Sequence, residues 1–229
     1  YFTSQPDYES KSSYSVTITG LSLSGKTISQ TFTIEIKDVD ELSFTSGDDE
    51  IAGTDSADYL NGAIGNDSIS GGDGNDYLNG GEGNDILHGD AGNDSLFGWS
   101  GEDEVFGGSG NDLIYGNEDQ DQLFGDEGKD VIYGGDGDDQ IEGGSSDDEI
   151  HGEWGNDLIY GDSKTGELDS DGNDSIDAGW GDDQVWGRGG DDTIYGGSGD
   201  DELRGGSGND LIRGGYDNDY IVGQSGNDT

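Results

Sequence analysis

GGDGNDYLN (71–79), GGEGNDILH (80–88) and GDAGNDSLF (89–97) follow one another without a gap, and their shared phase decides the fold. An aspartate recurs at the sixth position of each nine-residue unit and an aliphatic residue at the eighth. Extended in both directions, this frame runs from Phe44 to Tyr160 as thirteen units without a slip. Residues 161–168 (GDSKTGEL) break the register, and residues 169–222 supply six more units before a partial one, GQSGNDT. A short fixed period is the sequence signature of a solenoid, in which each unit buries its apolar side only against its neighbours.

Position 6 is aspartate in all twenty turns: Asp49, Asp58, Asp67, Asp76, Asp85, Asp94, Asp103, Asp112, Asp121, Asp130, Asp139, Asp148, Asp157, Asp174, Asp183, Asp192, Asp201, Asp210, Asp219 and Asp228. Position 8 is Ile, Leu or Val in all nineteen complete units, from Ile51 to Ile221. A disordered Gly/Asp spacer would not hold that phase. Glycines at positions 1, 2 and 4 permit positive φ and close backbone approach, as a tight turn requires. Positions 7 to 9 read as a three-residue strand whose middle side chain faces opposite to its neighbours. Two units then make one coil of eighteen residues, and coils stacked about 4.8 Å apart form two parallel sheets with the position-8 aliphatics between them.

The charge balance points the same way. With 54 Asp+Glu against 8 Lys+Arg, the net charge is −46, and hydrophobic residues make up only 27% of the chain. Residues 1–43 carry a net −3, so nearly all of the excess falls within the repeats. A chain this acidic folds only if something neutralises its carboxylates. Nucleic acid and anionic membrane surfaces would be repelled, and no apolar run approaches membrane-spanning length. There is no cysteine, so no disulfide can staple the fold. The absence of Met and the start at Tyr1 within a strand-rich stretch are expected of an excised, monomeric piece of something longer.

GGDGNDYLN (71–79) and GGSGNDLIY (107–115) resemble the calcium-binding nonapeptide of the repeats-in-toxin (RTX), or haemolysin-type, family. The resemblance covers residues 44–229 and implies an all-β, right-handed parallel β-roll with calcium held between turns. It also implies a secreted or cell-surface protein exported by a one-step (type I) machine.

Turns on one side of such a roll lie two units apart. Asp67, Asp85 and Asp103 are therefore expected in one column, and Asp76, Asp94 and Asp112 in the other. Carboxylates about 5 Å apart repel by roughly 3 kcal/mol at an effective dielectric near 20, and a cation between successive turns reverses that sign. Carboxylates and backbone carbonyls, with no Cys and only two His, favour Ca²⁺ over Zn²⁺, copper or Mg²⁺. Same-side pairs number eleven before the break and five after it, which predicts about sixteen ions, one per turn pair. All twenty position-6 aspartates are candidate ligands. The aliphatic core is thin for so long a chain, so folding is expected to need the metal.

Residues 13–20 (SYSVTITG) and 29–37 (SQTFTIEIK) alternate apolar and polar residues and predict an antiparallel hairpin joined through 21–28. With TFTIEIKDVDE (31–41), this stretch is similar to the last strands of cadherin-like domains of bacterial surface proteins. That resemblance implies an incomplete sandwich, with Asp38, Asp40 and Glu41 near a domain junction. Residues 1–43 are thus read as one domain and linker, and residues 44–229 as the roll.

No HExxH, GxSxG or CxxC occurs, and a repeated column of carboxylates is not a poised acid–base pair, so no catalytic site is expected. His88 and His151 lie at position 9, seven units apart, which places them on opposite sheets and excludes a shared zinc site. Position 9 also carries Phe97, Phe106, Tyr115, Phe124, Tyr133, Tyr160, Trp186 and Tyr195, which are expected to stack across strands and shield the sheets. Trp154 and Trp180, at position 3, are expected to lean over their turns. The sequence thus predicts an extracellular, calcium-dependent structural module of an adhesin, with the noncatalytic tail of a secreted protease, lipase or epimerase as the alternative.

Overall fold

The computed structural model describes residues 13–21, 27–35, 46–163 and 171–229, and the chain divides into two units, Tyr1–Glu41 and Leu42–Thr229. In the first unit, β1 (Ser13–Leu21) and β2 (Thr27–Glu35) form an antiparallel two-stranded sheet with Ser13 opposite Glu35 and Leu21 opposite Thr27. This is the expected hairpin, with its second strand beginning two residues earlier. No other strand of a sandwich joins it among the described residues. Asp38, Asp40 and Glu41 lie outside the described residues.

The second unit is a parallel β-solenoid. Strands alternate between two sheets along the chain: β3 (Glu50–Ala52) and β5 (Ser68–Asp73) belong to a ten-stranded sheet, and β4 (Tyr59–Ile64) opens a nine-stranded one. Each strand pairs in parallel with the strand eighteen residues on, so Ile51 faces Ile69 and Leu60 faces Leu78. No helix occurs among the described residues. The position-8 aliphatics meet between the sheets as one buried column, joined by Ala178. Ile221, in the last described strand, departs from this pattern at 46% exposure.

Most strands are six residues long, not three. Each runs from position 7 through position 3 of the next unit, as in SISGGD (68–73). The glycine pair continues the ladder because a short kink at position 2 lets pairing resume: Gly72 has φ 96° and still pairs with Asp90. Positive φ thus falls at positions 2 and 4, and eight units hold a non-glycine residue at position 2 with positive φ, from Ala63 to Gln224.

Position 1 favours glycine for a different reason, close approach, although Ala178 fits there in the turn closed by Asp183. A Cβ on Gly71 would lie 2.5 Å from Asp76 Oδ2 and 2.8 Å from the Gly89 carbonyl oxygen.

The register survives the insertion. Asp148 and Asp174 stand on successive coils although 26 residues apart, as do Asp157 and Asp183. Gly161 serves as the position-1 glycine of the turn closed by Asp174, and Asp162 still pairs with Gly144 in the sheet. The ladder is still held at Ser163, whose N–H donates to the Gly144 carbonyl oxygen at 3.0 Å. Residues 164–170 lie outside the described residues.

Candidate metal centre

The position-6 aspartates form two columns, one along each side where the chain passes between sheets. Within each column, Oδ1 accepts the backbone N–H of the aspartate on the preceding turn: Asp67 N–H to Asp85 Oδ1 at 2.7 Å, and Asp76 N–H to Asp94 Oδ1 at 2.7 Å. The series runs from Asp49 through Asp210 as donors, ending on Asp219 and Asp228, and it crosses the insertion unbroken. The columns therefore place Asp67, Asp85 and Asp103 together, and Asp76, Asp94 and Asp112 together.

The second oxygen is the chemically telling one. In sixteen of these aspartates, from Asp67 to Asp210, Oδ2 is buried with no hydrogen-bond donor. Those side chains are 1–3% exposed, whereas Asp49, Asp58, Asp219 and Asp228 at the two ends are half-buried. Oδ2 lies beside position 1 of its own turn, where a Cβ on Gly80 would come within 2.3 Å of Asp85 Oδ2. A buried carboxylate oxygen with no donor is costly.

Burial is the largest influence on these carboxyls and pushes them up: Asp85 and Asp94 to about 6, Asp103 and Asp130 to about 7, Asp121 and Asp148 to about 8, and Asp174 to about 9. The N–H bond at Oδ1 opposes the shift, and neighbouring aspartates mostly add to it. Moving Asp103 from 3.8 to about 7 amounts to about 4 kcal/mol against the charged form. Near neutral pH the closed turns therefore call for a cation or a proton at Oδ2.

The donor set fits a hard divalent cation. Among the described residues no three acidic or imidazole side chains converge on one point, so backbone carbonyls must complete any ligand shell. Such an all-oxygen mixture of carboxylate and carbonyl suits calcium. His88 and His151 lie on opposite sheets, in strands Ile86–Ala91 and Glu149–Trp154, so they cannot share a zinc ion.

A second ladder escaped the sequence reading. At position 5 the side chain accepts the backbone N–H of the following turn, the reverse direction: Asn84 N–H to Asn66 Oδ1 at 2.9 Å, and Asn111 N–H to Asn93 Oδ1 at 2.7 Å. The frequent Asn or Asp immediately before each position-6 aspartate was the available signal. Asp162 was also missed. It is 2% exposed, its Oδ1 takes the Gly172 N–H at 2.8 Å, and its Oδ2 takes the Gly189 N–H at 2.9 Å. It thereby ties strand Leu158–Asp162 to Gly172 and Gly189 beyond the break in register.

The position-9 rings stack across strands as expected. Phe97, Tyr115, Tyr133 and His151 form one run with centroids 4.7–5.1 Å apart, and His88, Phe106 and Phe124 form another. Arg188, Arg204 and Arg213 lie over Tyr160, Trp186 and Tyr195 at 5.1–5.4 Å.

Fold and site together define a class: a parallel β-solenoid whose turns are lined with two columns of buried aspartates. The family described as RTX calcium-binding nonapeptide repeat (4 copies) matches residues 45–78, 70–105, 79–114, 100–132, 133–163, 169–194 and 195–229. These matches cover more than half of the chain, and the chain belongs to that family. It is accordingly a calcium-binding structural repeat protein. No curated protein matches the chain.

Proposed function

We propose that the position-6 aspartates are calcium ligands, about one ion per same-side turn pair, and that the repeats are an extracellular folding switch. In this reading the chain crosses the export machinery unfolded in low calcium and sets into a stiff spacer outside the cell. The parent is a secreted or surface protein, in our reading an adhesin, and the fragment is a noncatalytic monomer. The hairpin β1–β2 and its resemblance to cadherin-like surface domains support the adhesin assignment.

The observation that carries the proposal is the set of sixteen buried, donorless Oδ2 atoms. Calcium, when bound, would supply the positive charge that the buried Oδ2 atoms lack. The chain's part is to hold Oδ1 on a backbone N–H, keep Oδ2 buried without a donor and keep position 1 small. Extracellular sites typically bind at about 10⁻⁴–10⁻³ M, so the switch is thrown between cytosolic and external calcium.

Far-UV circular dichroism should show coil in EGTA and β-structure in millimolar calcium, and calorimetric titration should return about sixteen ions. A β-spectrum that persists unchanged in EGTA would overturn the proposal.

A further inference from the structure

The nine-stranded side of the roll carries a row of position-3 residues near its C-terminal end. The register places Trp154 beside Trp180, Trp180 beside Ser198, and Ser198 beside Tyr216. Trp154 and Trp180 stack with centroids 4.4 Å apart, yet both remain about half exposed, and Tyr216 is 77% exposed. The row is thus aromatic, aromatic, small, aromatic. Ser198 leaves one rung of the stack without a ring.

That missing rung opens a cavity of about 420 Å³ between Trp180 and Tyr216. Gly179, Gly197 and Ser198 also line it, together with Glu153, Asp177 and His151. Rungs two apart are about 9.5 Å apart, which leaves space for one planar group at the spacing this roll uses for its own rings. The carboxylates of Glu153 and Asp177 and the chain's strong negative charge select a cation. The protein itself shows which planar cation suits such a rung. Arg204 lies over Trp186 and Arg213 over Tyr195, each one coil from its ring. A guanidinium stacks on an aromatic face while its N–H groups reach carboxylates, which a lysine ammonium does not do.

We propose that Trp180 and Tyr216, with Glu153 and Asp177, clamp an arginine side chain presented by a basic protein partner. The inference rests on the calcium-loaded roll proposed above, because only stacked coils bring strands Ser175–Trp180, Thr193–Ser198 and Leu211–Tyr216 into register.

The test uses the full chain in millimolar calcium, with folding confirmed by circular dichroism in the same sample. Blocked Gly-Arg-Gly, Gly-Lys-Gly and Gly-citrulline-Gly peptides are titrated while the Trp180 indole N–H is followed by NMR. The arginine peptide should shift that resonance saturably and bind at least about fivefold tighter than the lysine peptide, with the uncharged citrulline peptide weaker still. Ser198→Phe, which fills the vacant rung without removing any proposed contact, should abolish binding and keep the calcium-dependent spectrum. Trp180→Ala and Tyr216→Ala should each lose binding. Equal binding of all three peptides, tighter binding of methyl glucoside, no binding to the folded chain, or full binding by folded Ser198→Phe would each overturn the proposal. A chain that stays coil in calcium overturns the folding switch first, and the clamp with it.

Discussion

In the turn closed by Asp58, Oδ2 takes the Thr54 N–H at 2.6 Å and the Thr54 hydroxyl at 2.9 Å. In the turn closed by Asp121, the corresponding oxygen is buried and has no donor at all. Both turns have the same frame and the same aspartate. They differ in position 2, Thr54 against Asn117, and in burial, since Asp58 is only half-buried and Asp121 is 2% exposed. A turn at the edge of the stack can satisfy its carboxylate with its own side chain and with water. An interior turn has coils on both sides and must take its counter-charge from outside the chain. The need for an outside counter-charge is therefore a property of stacking, not of the aspartate alone.

The sharpest way to break this comparison is to remove the two carboxylates separately in saturating calcium. Asp121→Ala strips the Asp103 N–H of its acceptor and leaves neighbouring charges uncompensated, so it should cost about 3–5 kcal/mol. Asp58→Ala removes bonds at a partly solvated edge and should cost about 1 kcal/mol. Guanidinium unfolding at fixed calcium measures both, and equal losses would refute the distinction between edge and interior.

The apolar column offers the same contrast with a somewhat smaller effect. Ile132 is fully buried, and Ile132→Ala should cost about 3 kcal/mol through lost burial and a residual cavity. Ile221→Ala, at a residue already half open to solvent, should cost less than about 1 kcal/mol in the same assay.

The pH dependence sharpens the point further. Interior carboxyls such as Asp85, Asp121 and Asp174 sit at about 6, 8 and 9 in the closed roll, against 3.8 ordinarily, so the folded form without metal holds protons that the coil has released. In chelator, rising pH should therefore weaken whatever roll persists, with the loss beginning above about pH 4 and complete for each carboxyl once its folded-state value is passed. In calcium the same protons compete with the metal. Lowering the pH from 8 to 6 should raise the calcium concentration at half-folding by about tenfold or more. Titrations followed by circular dichroism at the two pH values measure the shift, and an unchanged midpoint would refute it. The smallest expected effect is that of Thr54→Ala, about 0.5–1 kcal/mol, because it removes a single exposed cap.

Much of this was legible in the sequence because the repeat is strict. Position 8 marked the column between the sheets, and the eighteen-residue coil followed from counting two units. The alternation of columns from Asp67 to Asp112 then needed only parity. The strand length was harder to read. Glycine weakens a strand by propensity, so Gly71 and Gly72 looked like turn alone, whereas pairing from Gly72 to Asp90 resumes across the kink. The close approach expected of the glycine at position 1 holds, whereas the positive φ expected there falls only at positions 2 and 4. Asp162 escaped because it lies where the register fails. Its partners Gly172 and Gly189 lie ten and twenty-seven residues on, off the eighteen-residue spacing that orders the rest. The Asn ladder at position 5 was overlooked because a short amide on a turn reads as ordinary turn chemistry.

The two side-chain ladders run against each other: position 5 reaches forward to the next coil, and position 6 reaches back to the previous one. Each seated coil thus offers a hook in one direction and a catch in the other, like the teeth of a zip fastener. Ordering can spread either way from whichever coil sets first, and a misregistered coil would forfeit both fastenings at once. The same arrangement makes length a matter of arithmetic, with each added coil extending the solenoid by about 4.8 Å without altering its chemistry.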